Sequence, residues 1–288
     1  MTTAIVTTPE QSGLRLGLRK LGRSPSACLG VAGVTLVILI AILAPVLSPF
    51  DPNLQDTANR LAPPGPVHWL GTDGFGRDIL SRIVWGARPT MLLLLSVVLL
   101  MAPIGLLVGV LAGYFGGLIQ RILMRLTDIT MSFPRLVLAF AFVAIIGPGL
   151  LNGALALALT SWPAYARQAR IETMALRQKD YLAAAEMVGI RGNRLLWGHV
   201  LPMVLPSAIV RLALDMSGII LAAAGLGFLG LGVRPPTAEW GSMVAEGTQV
   251  IFDQWWIAAA PGGAIFLTSL SFNLLADGLR DILDPRHD

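Results

Sequence analysis

Apolar positions along this 288-residue chain fall in long blocks, without the short alternations of a half-buried strand. A helix that crosses a bilayer needs about 20 predominantly apolar residues. Ala27 to Leu47 is the first such block. The second runs from about Thr90 to Tyr114, with Pro103 and several glycines as kink or packing points. A third covers Ile129 to Ile146, interrupted by Pro134, and a short fourth covers Leu150 to Trp162. Met203 to Leu226 and Trp256 to Ala276 are the fifth and sixth. Six spans are expected, or five if the third and fourth merge around Gly147-Pro148-Gly149.

The polar stretches between the blocks carry as much information. Ala164 to Leu201 is polar and Arg-rich, and a chain that repeatedly enters lipid needs a reason to keep such a segment in water. The economical reason is that another protein docks there. Within it Tyr181, Ala184, Ala185 and Val188 recur at helical spacing, and the alanines let a partner surface come close. Gly189 supplies a helix stop. A second short helix is expected from Arg191 to Val200, ended by Leu201-Pro202, so that helix, turn and helix form a lever into the fifth span.

Charge sets the orientation, because cytoplasmic loops retain Lys and Arg. The amino-terminal arm has Arg15, Arg19, Lys20 and Arg23, and the second loop has Arg121 and Arg125. The loop after the fourth span adds Arg167, Arg170, Arg177, Lys179, Arg191 and Arg194, whereas Gly232 to Trp255 holds only Arg234 against Glu239, Glu246 and Asp253. Both termini are therefore expected in the cytoplasm. Six tryptophans (69, 85, 162, 240, 255 and 256) fall near span ends, as interfacial aromatics do. Leu61 to Pro66 is too rich in proline for a helix interior and reads as an extended turn outside the membrane. The expected divisions are a cytoplasmic arm 1–26, a first span with exterior loop 27–89, a core transmembrane domain 90–276 enclosing the docking loop 164–202, and a cytoplasmic tail 277–288.

Composition agrees: 55% of residues are hydrophobic and 13% charged, with a mean hydropathy of +0.70. A soluble protein carries about a quarter charged residues. The mild excess of 21 Lys+Arg over 17 Asp+Glu is spread around the apolar blocks, which fits membrane loops better than a nucleic-acid surface. Cys28 is the only cysteine, excluding an intrachain disulfide, and is expected to pack as a small apolar residue. Met1 to Glu10 lacks the order of a cleaved signal peptide, so the first block is expected to be retained.

No phosphate-binding loop, metalloprotease helix or serine elbow is present, and His68, His199 and His287 are far apart. His199 is expected to pack. The chain is read as performing no bond chemistry and binding no metal or cofactor itself. The run Leu70 to Asp78 reads as a Gly-bearing turn fixed by Asp and Arg, compatible with receiving an exterior protein. Arg211 and Asp215 sit four apart inside the fifth span, either as an ion pair or facing a charged substrate in a translocation path. Asp128 leaves the same alternatives open, with a cap at the membrane edge the plainer reading. Gly225, Gly227, Gly230 and Gly232 are spaced for close helix approach, and Asp277 to Asp284 for an amphipathic end to the sixth span.

The docking segment resembles the Ala-Ala-x-x-x-Gly loop, closing in Leu-Pro, of ABC-importer permeases, with Ala183, Ala184, Ala185, Gly189, Leu201 and Pro202 at the matching positions. Ala183 replaces the usual Glu, a departure also found in the peptide branch. His68 to Asp78, Gly225 to Gly232 with Pro235 to Gly241, and Phe272 to Pro285 are similar to the second permease of the dipeptide/oligopeptide/nickel group. The resemblance implies an all-α membrane protein of about six spans, with the MetI-like permease fold and a cytoplasmic coupling helix. It further implies a homologous permease partner, two cytoplasmic ATPases that use ATP and Mg, and an extracytoplasmic solute-binding protein, in the plasma (inner) membrane of a prokaryote. The implied cargo is dipeptides or oligopeptides. Trp162 to Arg170 with Leu176 to Asp180 also look like nickel-type members, so a nickel or metal-chelate importer is the alternative.

Overall fold

The computed structural model describes residues 24–283, and its described residues form helices and no strand. The basic residues of the amino-terminal arm, together with Asp284 and His287, lie outside the described residues. The first helix, α1 (Pro25–Leu47), starts where the Ser24 hydroxyl accepts from the Ala27 N–H at 3.4 Å and Pro25 enters the first turn. Its buried positions are small (Ala27, Gly30, Ala41 and Ala44), while Leu36, Ile42 and Val46 are exposed. That pattern suits a helix with one side against protein and the other against lipid. Cys28 faces outward, contrary to the packing expected for it.

Helix α2 (Ile79–Phe115) begins eleven residues before the expected second span, capped by Asp78, whose carboxylate accepts from Ser81 N–H at 2.8 Å. It ends at Gly116, and α3 (Gly117–Met131) follows at once. Pro134 then breaks the chain, and α4 (Arg135–Ile146) leaves at 86° to α3. The third apolar block is thus two helices. In α3 Leu118, Ile122, Leu126 and Ile129 are exposed beside a row of arginines. The Gly147-Pro148-Gly149 break holds α4 apart from α5 (Leu150–Arg177), so the two blocks do not merge.

Then come α6 (Asp180–Met187), α7 (Asn193–Leu195), one turn of π-helix (Leu196–Val200), α8 (Leu201–Phe228), α9 (Trp240–Thr248) and α10 (Trp256–Leu283). The runs Pro25–Leu47, Ile79–Phe115, Asn193–Phe228 and Trp256–Asp281 are each long and apolar enough to cross a membrane, and the bent α3–α4 pair adds a fifth if the two helices are one broken span. Helix α5 has the length at 28 residues but not the hydropathy. It can be more polar because Ala156, Leu157, Thr160, Ser161, Ala166 and Thr173 are buried by neighbouring helices. Close packing on α2 comes from Gly105, Gly109 and Gly113, where an added Cβ would collide with Tyr165, Ala166 and Thr173 of α5. The expected boundary at 276/277 falls inside α10, which continues to Leu283.

Two apolar cores result. The larger joins Leu94, Val97, Met101, Leu157, Ile219 and Leu226 with Trp240 and Ile257. The smaller joins Val110, Tyr114, Ala169, Leu182, Ala185, Leu195, Leu196 and Val200. Outside the spans, the 70–78 turn is fixed as expected by Asp and Arg. Arg77 Nε donates to Asp73 at 2.6 Å and its Nη2 to Glu246 at 2.8 Å, with Arg77 and Asp73 both buried.

The small helix α9 was not expected in the Gly232–Trp255 loop. Glu239 caps it, accepting from Gly241 N–H at 2.8 Å and Ser242 N–H at 2.9 Å. The same carboxylate lies on Gly227, where no Cβ would fit. Close approach in the glycine run is therefore to a capping carboxylate and to Gly232, not to a second helix, and Gly225 and Gly230 face open space.

Candidate functional site

The polar segment divides into two parts. Ala164 to Arg177 is the C-terminal half of α5, and the elbow proper runs from Gln178 to Val200. Helix α6 is amphipathic in a direction the residue spacing did not give. Leu182 and Ala185 face inward onto Leu195, Leu196 and Val200, while Tyr181, Met187 and Val188 are 54%, 88% and 77% exposed. Ala183 and Ala184 are exposed and Ala185 is not, so Ala185 belongs to the hinge core and leaves the outward face to its neighbours. Helix α6 ends at Met187 with Val188 as its C-cap, and Gly189 takes φ 91° with nothing within 4 Å of the place a Cβ would occupy. The glycine meets a backbone need here, not a steric one.

The expected stop at Leu201-Pro202 is absent. The chain passes without a break from Asn193 through α8, so the return arm of the elbow and the membrane span are one 36-residue run. In a regular helix Pro202 would clash with the carbonyl four residues back and leave it unbonded. The π-turn just before it, at Leu196–Val200, relieves that conflict. Leu201 and Pro202 therefore lie on the arm that enters the membrane, apart from the outward face of α6.

Three contacts brace the elbow and the end of α5 from which it springs. Tyr114 Oη donates to Gly192 O at 3.0 Å, and Arg177 Nη1 donates to Tyr114 O at 2.6 Å with its guanidinium over the Tyr114 ring. Tyr181 Oη and His199 Nδ1 are 2.8 Å apart, joining the two arms, so His199 is held by a hydrogen bond as well as by packing.

Deeper in the bundle, Arg211 and Asp215 pair along α8 through two contacts: Nε to Oδ2 at 3.1 Å and Nη2 to Oδ1 at 3.0 Å. Arg211 is still 37% exposed, although it lies within a span. Facing them is a third charge that carried no signal in the sequence beyond its position after Pro134. Arg135, at the start of α4, has Nε and Nη2 buried and without a hydrogen-bond partner among the described residues. Nearer the elbow, Gln120, Arg121, Arg125, Arg167 and Arg170 line a concavity of about 580 Å³ between α3 and α5. Asp128 pairs there with Arg167 at 2.7 Å, so of the alternatives open for it the ion pair is the one formed. Among the described residues, no group of three or more His, Cys, Asp or Glu side chains could hold a metal ion.

Comparison with known proteins bears on what such an elbow is for. Residues 105–288 match the model of the binding-protein-dependent transport system inner membrane component. Residues 12–64 match the N-terminal TM domain of oligopeptide transport permease C. A probable D,D-dipeptide transport system permease protein of Escherichia coli is 44% identical over 263 residues, covering 91% of this chain and 88% of the relative. A di/tripeptide transport system permease protein of Pseudomonas aeruginosa is 43% identical, covering 89% and 87%. The nickel transport system permease protein of Escherichia coli is 40% identical, covering 88% and 91%.

Proposed function

This chain belongs to the binding-protein-dependent transport system inner membrane components, the permeases of ABC importers, and we propose that it forms half of the translocation path for dipeptides or short oligopeptides. The other half is a homologous permease. Two cytoplasmic ATPases hydrolyse ATP with Mg, and an extracytoplasmic binding protein delivers the cargo. Both termini lie in the cytoplasm.

The observation that carries this reading is the elbow. Met187 and Val188 are almost fully exposed on a helix whose opposite side is packed into the bundle. An apolar edge in that position suits insertion into a cleft of the ATPase. Ala183 and Ala184 let the partner approach, Gly189 fixes the bend, and Leu182 and Ala185 hold the helix to the return arm. Because that arm continues into α8, a displacement of α6 reaches Arg211 and Asp215 through one helical run. A bistable bundle biased in this way alternates between outward and inward access. Arg211 and Asp215 line the path in this reading, since a half-exposed guanidinium within a span is costly against lipid.

Peptide cargo is favoured by the peptide-transport relatives at 44% and 43% identity. The nickel permease at 40% supports the second reading, a nickel or metal-chelate importer. Titrating the cognate binding protein with dipeptides and with nickel chelates separates them. Dipeptide binding with no response to nickel is expected, and the reverse would overturn the peptide reading.

A further inference from the structure

Two guanidiniums share one carboxylate inside the bundle. Arg135 and Arg211 both act electrostatically on Asp215, yet Asp215 is bonded at both oxygens by Arg211 alone. Arg135 is left with Nε and Nη2 enclosed and unbonded, and its Nη1 lies 4.0 Å from where a Cβ on Gly218 would sit. Arg211 lies about 26 Å along α8 from Phe228, and Arg135 about 16 Å along α4 from Ile146, at ~1.5 Å per residue. Arg211 thus lies inside a run long and apolar enough to cross a membrane, and Arg135 inside the bent α3–α4 pair that passes the same test. Positive charge in excess at that depth is retained where an anion passes or resides.

We infer that Arg135, Arg211 and Asp215 form a station for the carboxylate of the cargo, a group common to peptides with a free carboxyl end. The inference rests on the peptide reading above. Arg211 is the reachable cation, being 37% exposed where Asp215 is 15%. An incoming carboxylate takes the Arg211 fork, and Asp215 passes to the waiting Arg135. Each cation then has one anion. When Asp215 returns to Arg211, the cargo is displaced. The internal acid thus keeps the station from holding its ligand too tightly, and recognition does not depend on side-chain identity because only the carboxyl end is read.

The test uses the complete importer in proteoliposomes, with labelled alanyl-alanine and its C-terminal amide, at saturating loaded binding protein. The readout is the acid-to-amide uptake ratio, divided by the ratio of their affinities for the binding protein. Wild type is expected to favour the acid. Arg135→Gln should lower the corrected ratio at least tenfold, and Arg135→Lys, which keeps the charge, should stay within threefold of wild type. A corrected ratio in Arg135→Gln equal to that of wild type overturns the station.

Should Arg135→Gln fail to assemble, Asp215→Asn decides. Loss of the competing acid should lower KM for the free acid at least threefold without a matching change for the amide. Equal KM changes for both overturn the inference. Uptake of neither compound by wild type would overturn the peptide reading itself and the station with it, an outcome distinct from the other two.

Discussion

The turn at 70–78 and the elbow at 178–200 are built on opposite plans. In the turn polar groups face inward and are paired, save Arg82 Nε, which is buried without a hydrogen bond and 3.5 Å from Asp73. Asp73 receives Arg77, Arg77 reaches on to Glu246, and Asp78 takes His68 Nδ1 at 2.9 Å as well as the Ser81 N–H. In the elbow apolar groups are turned outward and unmatched, with Met187 and Val188 exposed, the Tyr181–His199 contact joining its two arms and the Tyr114 hydroxyl holding Gly192 to the bundle. The first region is complete within the chain. In the proposed function the second is completed by the ATPase, which an exposed apolar edge suits.

Substitutions should therefore act on the fold in the 70–78 turn and on coupling in the elbow. The largest loss of stability is expected from Arg77→Met. It leaves Asp73 buried with one fewer cation and frees Glu246. Breaking a buried pair costs about 3–5 kcal/mol, so thermal unfolding of the purified protein should begin well below that of wild type. An unchanged midpoint would show that the network at the turn is ornamental.

Gly189→Val comes next. No atom lies within 4 Å of the new Cβ, so the cost is that of holding φ near 91° in a β-branched residue, on the order of 1–3 kcal/mol. The strain falls on the elbow alone. Membrane insertion should persist, while ATP hydrolysis and uptake in vesicles lose their proportionality. Transport at the wild-type rate and coupling ratio would remove the lever from the account.

Met187→Ser should change fold stability by less than about 0.5 kcal/mol, because the side chain is 88% exposed. Its effect should appear instead in association, with ATPase binding weakened at least tenfold in detergent. Equal affinity would place the docking surface elsewhere.

The smallest effect expected is a pH response at Glu239, which lies outside the spans. Burial raises its pKa above the usual carboxylate value, against the lowering effect of the Gly241 and Ser242 N–H groups. A raised folded-state pKa means that the carboxyl's contribution is full below the unfolded value of 4.5 and is lost as pH rises through the folded value. The stability of wild type should thus decline over that rise, and Glu239→Gln should flatten the decline. Identical pH profiles would contradict the burial argument.

How much of this was legible follows from what each feature depends on. The apolar blocks, the elbow with Gly189, and the Asp–Arg turn depend on local spacing, and spacing is visible in a string. The Arg211–Asp215 pair was legible for the same reason, being four residues apart on one helix. What escaped depends on approach in space. Arg135 meets α8 only because Pro134 turns the chain by 86°, and Glu239 finds Gly227 only through the turn after α8. The inward orientation of Ala185 was hidden too, because alanine suits either face of a helix. The continuation past Leu201-Pro202 required a π-turn, which leaves no mark in residue types.

Site-directed crosslinking tests the central claim most directly. In a Cys28→Ser background, Met187→Cys supplies a single thiol on the outward edge of α6, and the ATPase carries a second cysteine in the cleft proposed to receive it. The account predicts protection from a membrane-impermeant thiol reagent added outside intact cells, and a covalent adduct between the two chains that blocks uptake until it is reduced. Labelling of that thiol from outside, or its failure to reach the ATPase in the assembled importer, would contradict the account.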